Sequence, residues 1–288
     1  MRCKNPYLVT SKKSRQENPG WRDFYSSCGK CRYCLIQRRR EWTIRLLHEK
    51  LYHLDSQFLT LTYTNDYPAS ARALNKRHLS DFWKAIRKGS GAHIKYYACG
   101  EYGDDTGRAH FHAIVFSNKK IEYQEYWPYG FVYTGTVTAD SVGYVAGYVD
   151  KKYSEDWEDS DRPAPFQRQS QGLGLSFLED HIEDILDNGF ILFRDVKCRV
   201  PRYYNKKIEE LVDGRTYREY RQKALAHSFE RELNNADVLL GDRSRLLVDP
   251  SGSVDFDFLI RENGSKWNEF LERKQKHKKL QDTGERRI

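Results

Sequence analysis

Residues 109–116 have the sequence Ala-His-Phe-His-Ala-Ile-Val-Phe and predict a strand inside a sheet. Apolar, aromatic and β-branched side chains favour an extended conformation that is buried on at least one side. Side chains two residues apart point the same way from a strand, so His110 and His112 converge. Two imidazoles on one face can bind a divalent metal, although histidines that pack or face solvent follow the same pattern.

A second predicted strand, residues 93–99, precedes this one, and residues 103–107 between them have the composition of a turn. If the strands pair with Glu101 opposite His110 or His112, the carboxylate lies roughly 5 Å from them on the same face. Such a set of nitrogen and oxygen ligands suits Mg²⁺ or Mn²⁺ and leaves positions open for a phosphate. The other register points Glu101 away, and the alternative ligands are then in the turn: Asp104 and Asp105.

Residues 144–152, Tyr-Val-Ala-Gly-Tyr-Val-Asp-Lys-Lys, predict a helix with two hydroxyls on one face. Asp140-Ser141 is typical of an N-cap, after which residues 142–153 can form the helix. The Cβ atoms of Tyr144 and Tyr148 are then roughly 5 to 6 Å apart, so both hydroxyls can reach one phosphate. Packing of both rings as the apolar side of an amphipathic helix is the alternative.

Charge and backbone space near these tyrosines fit phosphate chemistry. Lys151 and Lys152 bring an ammonium to the tyrosine face, where it can stabilise charge that develops on a phosphate. A phenol with a pKa near 10 is a poor nucleophile and needs such help, together with a metal. Gly143 and Gly147 weaken the helix and predict a close approach by the sheet or by DNA.

Three segments, residues 58–63, 100–112 and 144–152, occur in an order and spacing that resemble the HUH rolling-circle replication initiators. Within that superfamily the resemblance is to the initiators of microvirus phages, particularly the gokushovirus branch. It implies a relaxase-like antiparallel palm and a divalent ion held by His110, His112 and Glu101. It also implies attack by Tyr144 or Tyr148 on an origin, which leaves a 5′-phosphotyrosine and a free 3′-hydroxyl.

The same resemblance implies partners and a location. The DNA partners are single strands and the origin of the double-stranded replicative form, and strand transfer by the second tyrosine closes the genome into a circle. The sequence has no G-x-x-x-x-G-K-[ST] phosphate loop, so unwinding is expected from a host helicase. The expected location is the cytoplasm of a bacterial host.

Two other functions remain open from the sequence. A non-catalytic, zinc-containing protein that binds single-stranded nucleic acid explains the charge, cysteines and aromatics but leaves the histidines and tyrosines without a role. A single-strand transposase or a conjugative relaxase uses the same metal and tyrosine chemistry. Such transposases usually have one tyrosine, and relaxases have theirs near the N-terminus, so the order of motifs favours replication.

The composition fits a polyanionic partner with stackable bases. The chain has 288 residues, a formal charge of +8, 20 tyrosines and 6 tryptophans. Residues 1–50 hold 13 Lys or Arg against 4 Asp or Glu. We find no apolar stretch of membrane-spanning length and no secretory signal, which predicts a protein of a reducing compartment with no membrane partner.

Six cysteines in such a compartment argue against disulfides. Cys28, Cys31 and Cys34 lie within seven residues, and Cys3 can supply a fourth thiolate for a structural, tetrahedral Zn²⁺. Reduced structural thiols and an iron-sulfur cluster are the alternatives. The site would join the basic N-terminus to the following helix.

The pattern of elements predicts an α+β fold with a central antiparallel sheet flanked by helices. Residues 35–53 and 76–87 are predicted helices, residues 129–134 a strand, residues 152–168 a loop, and residues 186–204 strands. We divide the chain into a Cys-rich extension (1–36), an endonuclease domain (37–205) and a charged helical region (206–288). Predicted DNA contacts, each with solvation or packing as its alternative, are Arg38, Arg39, Arg40, Tyr203 and Tyr204.

Overall fold

The computed structural model describes residues 3, 5–10, 24–148 and 160–240. The chain divides into a compact unit, Met1–Tyr220, and a second unit, Arg221–Ile288. In the part described, the strands are β1 (Tyr7–Val9), β2 (Phe24–Ser26), β3 (Asp55–Thr62), β4 (Ile94–Tyr102), β5 (Ala109–Ser117), β6 (Val132–Thr136), β7 (Phe166–Gln169), β8 (Ile191–Phe193) and β9 (Val196–Cys198). The helices are α1 (Arg32–Lys50), α2 (Pro68–Arg72), α3 (Lys76–Ser90), α4 (Ala139–Gly147), α5 (Leu175–Asp180), α6 (Ile182–Asn188), α7 (Arg202–Leu211) and α8 (Gly214–Leu240), with a 3₁₀ turn at Tyr123–Tyr126.

The central feature is a five-stranded sheet in the order β6-β3-β5-β4-β7, in which every neighbouring pair is antiparallel. Helices cover both of its faces, so the prediction of an α+β fold with a central antiparallel sheet is confirmed. The strand predicted at residues 109–116 is β5, in the middle of the sheet. Phe111 and Ala113 to Phe116 are buried there because neighbours cover both sides of the strand.

The hairpin of β4 and β5 has the register that brings the proposed ligands together, with Glu101 opposite His110. The turn fixes that register. Gly103 N–H donates to Arg108 O at 3.0 Å, and Gly107 N–H donates to Gly103 O at 2.8 Å. Gly107 has a φ of +61°, which favours glycine. A register shifted by one residue would turn Glu101 to the other face.

Two apolar cores lie on opposite faces of the sheet. On one face, α3 packs its buried side chains Leu79, Phe82, Trp83 and Ile86 against β3, β4 and β5, as the helical pattern predicted. On the other face, Leu46 of α1 and Val142 and Val145 of α4 pack against Ile114 and Phe116. We call this second face the site face, because His112 shares it with Ile114.

The helix that carries the tyrosines begins earlier than predicted. The N-cap is Thr138, whose Oγ1 accepts a hydrogen bond from Ser141 N–H at 3.2 Å. Ser141 Oγ in turn accepts one from Thr138 N–H at 2.8 Å, so Ser141 is the third residue of a capping box and not the cap itself. The prediction of an N-cap at Asp140-Ser141 was therefore wrong. Helix α4 ends at Gly147, and residues 149–153 of the predicted helix lie outside the described residues.

Other predicted bounds differ in detail. The strand predicted at residues 129–134 is Val132–Thr136, and the helix predicted at 35–53 is Arg32–Lys50. The predicted loop at 152–168 overlaps β7, and its residues 152–159 lie outside the described part. Residues 186–204 are only partly extended, because a two-stranded ribbon lies there between helices α6 and α7.

The compact unit continues beyond residue 205, the end that we predicted for the endonuclease domain. Ile208 of α7 and Tyr220 are both buried, and the Tyr220 hydroxyl donates to Asn205 Oδ1 at 2.5 Å. Residues 266–279, a further predicted helix, lie outside the described residues. Among the helices of the described part, none combines the length and apolar character needed to cross a membrane.

Candidate metal and tyrosine site

Glu101, His110 and His112 form a cluster at one end of the site face. Their ligand atoms lie within 4.8 Å of one another. The Nε2 atoms of His110 and His112 are 2.9 Å and 3.2 Å from Glu101 Oε1. Glu101 and His112 are buried, and His110 is half-buried. The residues predicted from sequence as metal ligands therefore converge, whereas the alternatives Asp104 and Asp105 are not part of this cluster.

Hydrogen bonds on the far side of each ring orient the imidazoles. His110 Nδ1 is 3.1 Å from the carbonyl of Arg108, to which only an N–H can donate. Thr60 Oγ1 lies 2.9 Å from His112 Nδ1. In neutral His110 the Nε2 lone pair then faces the carboxylate, and two acceptors at that distance need a cation or a proton between them. Such outer partners are typical of histidines that bind metals.

The carboxylate is held in its charged form. Burial alone would raise the pKa of Glu101, but hydrogen bonds from His110, His112 and Tyr148 outweigh burial and lower the pKa of this carboxyl well below its usual range. A buried anion flanked by two imidazole nitrogens is a donor set for a divalent ion. The three side chains therefore fit the Mg²⁺ or Mn²⁺ that the sequence predicted.

Both tyrosines of α4 lie against this cluster. The Tyr148 ring stacks on His112 with 5.2 Å between centroids and 9° between planes. The Tyr144 ring meets His112 edge-on at 5.3 Å and Tyr148 at 4.7 Å. The two tyrosines are thus gathered at the histidines and do not pack as an apolar stripe remote from them.

The two phenols have different surroundings. Tyr144 is 50% exposed, whereas Tyr148 is 9% exposed. Burial, and after it the hydrogen bonds with Tyr144 and Glu101, raise the pKa of Tyr148 far above its ordinary value. The Tyr148 hydroxyl donates to the Glu101 carboxylate, so one tyrosine is tied to a proposed metal ligand while the other faces solvent.

The glycines of α4 face Arg39 of α1. A Cβ at Gly147 would lie 3.3 Å from the Arg39 guanidinium carbon, and one at Gly143 would lie 3.5 Å from Nη2. The close approach predicted from these glycines exists, but the neighbour is an arginine and neither the sheet nor DNA. Each glycine immediately precedes one of the tyrosines, so the Arg39 cation lies beside the tyrosine helix. Lys151 and Lys152, which we predicted for this role, lie outside the described residues.

The sequence of residues 56–153 matches the family model described as replication-associated protein ORF2. This segment contains Glu101, His110, His112 and both tyrosines. The chain is 28% identical over 215 residues to the replication-associated protein ORF4 of Chlamydia phage 1, a match that covers 64% of this chain and 54% of that protein. It is also 28% identical over 209 residues to the replication-associated protein VP4 of Bdellovibrio phage phiMH2K, covering 63% of this chain and 66% of that protein.

The chain is similar to phage replication-associated proteins. A third relative, the replication-associated protein ORF2 of Spiroplasma virus 4, is 28% identical over 260 residues, covering 76% of this chain and 81% of that protein. The chain spans about half the length of the Chlamydia phage relative. No solved structure matches it. The resemblance to microvirus-type replication proteins that the three motifs indicated is confirmed by these relatives.

A second cluster, of four cysteines, lies in the N-terminal region of this replication-like chain. The sulfurs of Cys3, Cys28, Cys31 and Cys34 all lie within 4.8 Å of one another, and individual pairs are 3.5 to 3.9 Å apart. Four thiolates at 2.3 Å from a tetrahedral Zn²⁺ would be about 3.8 Å apart. The cysteines therefore fit the predicted zinc site.

Backbone amides support thiolate character in this cluster. Cys31 N–H donates to Cys28 Sγ at 3.3 Å, and Cys28 N–H donates to Cys3 Sγ at 3.2 Å. The bond from Cys31, followed by one from Lys30, lowers the pKa of Cys28 to about 6. Burial raises the pKa of the Cys34 thiol, and a bound cation would reverse that effect. Cys31 is also the N-cap of α1, so this cluster fixes the start of the helix that carries Arg39.

The remaining predicted DNA contacts differ in exposure. Arg40 is exposed, and Arg38 lies near Gly29 of the cysteine loop. Tyr203 is half-buried under the Arg45 guanidinium, 3.9 Å from its ring centre. Tyr204 is fully buried, with its hydroxyl 3.0 Å from His48 Nδ1. A ring in that position cannot stack on bases, so DNA binding by Tyr204 is corrected to packing.

Sequence reasoning missed two contributors to the site. Thr60 orients His112, and Arg39 covers the tyrosine helix. Thr60 lies in the first motif strand and pairs directly with His112 across β3 and β5, so the alternation of that strand carries a signal once the sheet order is known. Arg39 has no such signal, because its contact with α4 joins segments about a hundred residues apart.

Proposed function

We propose that the chain initiates rolling-circle replication of a phage genome by nicking one DNA strand through a tyrosine. The observation that carries the proposal is the convergence of Tyr144 and Tyr148 on His112, next to a cluster of three metal-ligating side chains. The names of the relatives support a replication role. The nicking chemistry rests on the geometry and on the HUH resemblance.

Glu101, His110 and His112 would hold Mg²⁺ or Mn²⁺. When bound, the ion would polarise the scissile phosphate and stabilise its developing charge. The protein's own contribution is to orient the imidazoles, through Thr60 and the Arg108 carbonyl, and to keep the carboxylate charged. Arg39 supplies a fixed cation beside the tyrosine helix, where it can pair with a backbone phosphate.

The chemical step is a transesterification. The phenolic oxygen attacks phosphorus as its proton leaves, the bond from phosphorus to the 3′ oxygen breaks, and that oxygen takes up a proton. The products are a 5′-phosphotyrosine and a free 3′-hydroxyl. Because one phosphodiester replaces another, the reverse step needs no ATP, and a second tyrosine can transfer the strand to close a circle.

Tyr144 makes the first attack in this scheme. It is half exposed and can reach a phosphate that arrives from solvent, whereas Tyr148 is buried and donates its hydroxyl to Glu101. Tyr148 becomes available when the Glu101 carboxylate turns to a metal ion. It then attacks the regenerated origin after a round of synthesis.

The four cysteines complete the proposal as a structural Zn²⁺ site that anchors α1 and so places Arg39. Division of the chain at residues 36 and 205, unwinding by a host helicase, and action in the cytoplasm of a bacterial host are parts of the same proposal. Lys151 and Lys152 remain predicted phosphate contacts.

The test uses tiled, 5′-labelled and 3′-labelled single-stranded oligonucleotides from the genome that encodes the chain, with Mn²⁺. We expect one oligonucleotide to give a protein-DNA product that survives denaturation and retains the 3′-labelled fragment. EDTA should abolish it. Binding of the oligonucleotides without any such product, at every position of the genome, would replace the proposal with a non-catalytic binding protein.

A further inference from the structure

Two aromatic side chains are exposed on the edge strand next to the metal cluster. Phe131 is 68% exposed and Tyr133 is 66% exposed. Packing in the core therefore does not explain them. Large aromatic side chains left in water on one strand edge are typical of a binding surface.

The sheet register places both residues on the site face. Tyr133 lies opposite Thr60, which lies opposite His112. Phe131 exchanges backbone hydrogen bonds with Thr62 at 2.9 and 3.2 Å, and Thr62 lies opposite His110. Directly paired residues of antiparallel strands project to the same face. Each exposed ring is therefore in line with one of the two histidines, two strands away.

A glycine lets Tyr133 extend toward the tyrosine helix. A Cβ at Gly135 would lie 3.5 Å from the Tyr133 ring and 3.5 Å from the Phe58 ring. Phe58 in turn meets Tyr144 edge-on at 6.4 Å and stacks on His112 at 5.6 Å. The rings of Phe131, Tyr133, Phe58 and Tyr144, which we call the aromatic strip, thus lead from the sheet edge to the exposed phenol.

We propose that the aromatic strip binds the unpaired bases of single-stranded DNA that flank the scissile phosphate. The proposal rests on the proposed nicking function for its location. Unpaired bases are favoured as occupants because every base has a flat face that stacks on an aromatic ring. In a duplex these faces are already stacked, so duplex DNA cannot use the strip in this way. The strip would hold the strand so that its backbone passes Tyr144 and the metal ligands.

The experiment measures binding without cleavage. A short fluorescent single-stranded oligonucleotide is titrated with full-length protein in EDTA, and compared with an abasic oligonucleotide of equal length and charge. Phe131→Ala and Tyr133→Ala should each weaken binding of the base-containing strand by about tenfold. Neither change should affect the abasic strand. Tyr133→Phe should bind like the wild type because it keeps the ring.

The matched control is Leu192→Ala, which removes a side chain that is 62% exposed on β8. It should leave both affinities unchanged. Unaltered binding of the base-containing strand by Phe131→Ala and Tyr133→Ala would overturn the proposal, and so would an equal loss on the abasic strand or on a duplex. Failure of the nicking function is distinguishable, because wild-type protein would then form no covalent product while the aromatic variants still lost affinity.

Discussion

The ring of Tyr148 lies parallel to the ring of His112, 5.2 Å away, while its hydroxyl donates to the Glu101 carboxylate. One tyrosine is therefore part of the packing and hydrogen bonding of the metal ligands. Tyr144, one helical turn earlier, touches the same histidine and remains half exposed. This difference separates the two tyrosines in function.

Single phenylalanine variants should differ in rate. Tyr144→Phe removes the exposed phenol, so the initial rate of adduct formation on the origin oligonucleotide should fall more than in Tyr148→Phe. Each single variant should retain some nicking through the other tyrosine. Quantified gel assays of initial rates check this. A larger loss in Tyr148→Phe would reverse the assigned order.

Thr60 should control metal affinity through His112. Thr60→Val removes the hydroxyl that bonds His112 Nδ1, and Mn²⁺ affinity should fall about 10- to 100-fold, measured by calorimetry. Thr60→Ser should restore it. The control is Thr134→Val on β6, an exposed threonine opposite Leu59. Equal Mn²⁺ affinity in Thr60→Val and wild type would show that this hydrogen bond does not orient a ligand.

Zinc should be bound in equimolar amount and should be lost with any one thiolate. In native mass spectrometry Cys34→Ser should lack the metal. Its melting temperature should fall by at least about 4 °C, since each kcal/mol lost lowers it by about 2–4 °C in a domain of this size. Cys198→Ser, outside the cluster, should keep the zinc. A metal-free wild type with the same melting temperature would argue for reduced structural thiols.

Arg39 should contribute to the salt dependence of DNA binding. Loss of one phosphate contact reduces the slope of log K against log salt by about 0.7 on single strands. Arg39→Ala should show this change, together with slower nicking. Arg77→Ala is the control, because that side chain is 86% exposed on α3, across the sheet from the site face. An unchanged salt slope in Arg39→Ala would leave the arginine with a purely structural role against α4.

Stability should decline at mildly acidic pH because of His48. Burial lowers the pKa of His48 to about 4 from 6.5, and its ring lies between Phe177 and Tyr204. Between these pH values the unfolded chain binds the extra proton, so the contribution, at most about 3 kcal/mol, is present above pH 6.5 and is lost as the pH falls toward 4.

Thermal melts from pH 7 to pH 4 check the His48 prediction. His48→Gln should flatten the pH dependence, whereas the exposed His93→Gln should not change it. A wild-type melting temperature that is constant across this interval would show that His48 protonates without cost in the folded protein.

The sequence was sufficient for the features that depend on local pattern. The alternation of residues 109–116 and the turn at 103–107 predicted the hairpin, and the spacing of Tyr144 and Tyr148 predicted their shared face. The capping box at Thr138 was missed because Asp140-Ser141 is an equally good local signal. Only the folded backbone decides between two such caps.

Features that depend on distant segments could not be predicted. The choice between the two registers for Glu101 depends on backbone hydrogen bonds in the turn. Burial of Tyr204 depends on its bond to His48, from a helix more than 150 residues earlier. Exposure of Phe131 and Tyr133 became visible only when β6 was placed at the edge of the sheet.

The most direct measurement of the central claim is peptide mapping of the covalent protein-DNA product by mass spectrometry. We predict that the nucleotide is attached to Tyr144 in the wild-type protein and to Tyr148 in Tyr144→Phe, and that the double phenylalanine variant yields no product. A nucleotide on any other residue, or a product that persists in the double variant, would contradict the account.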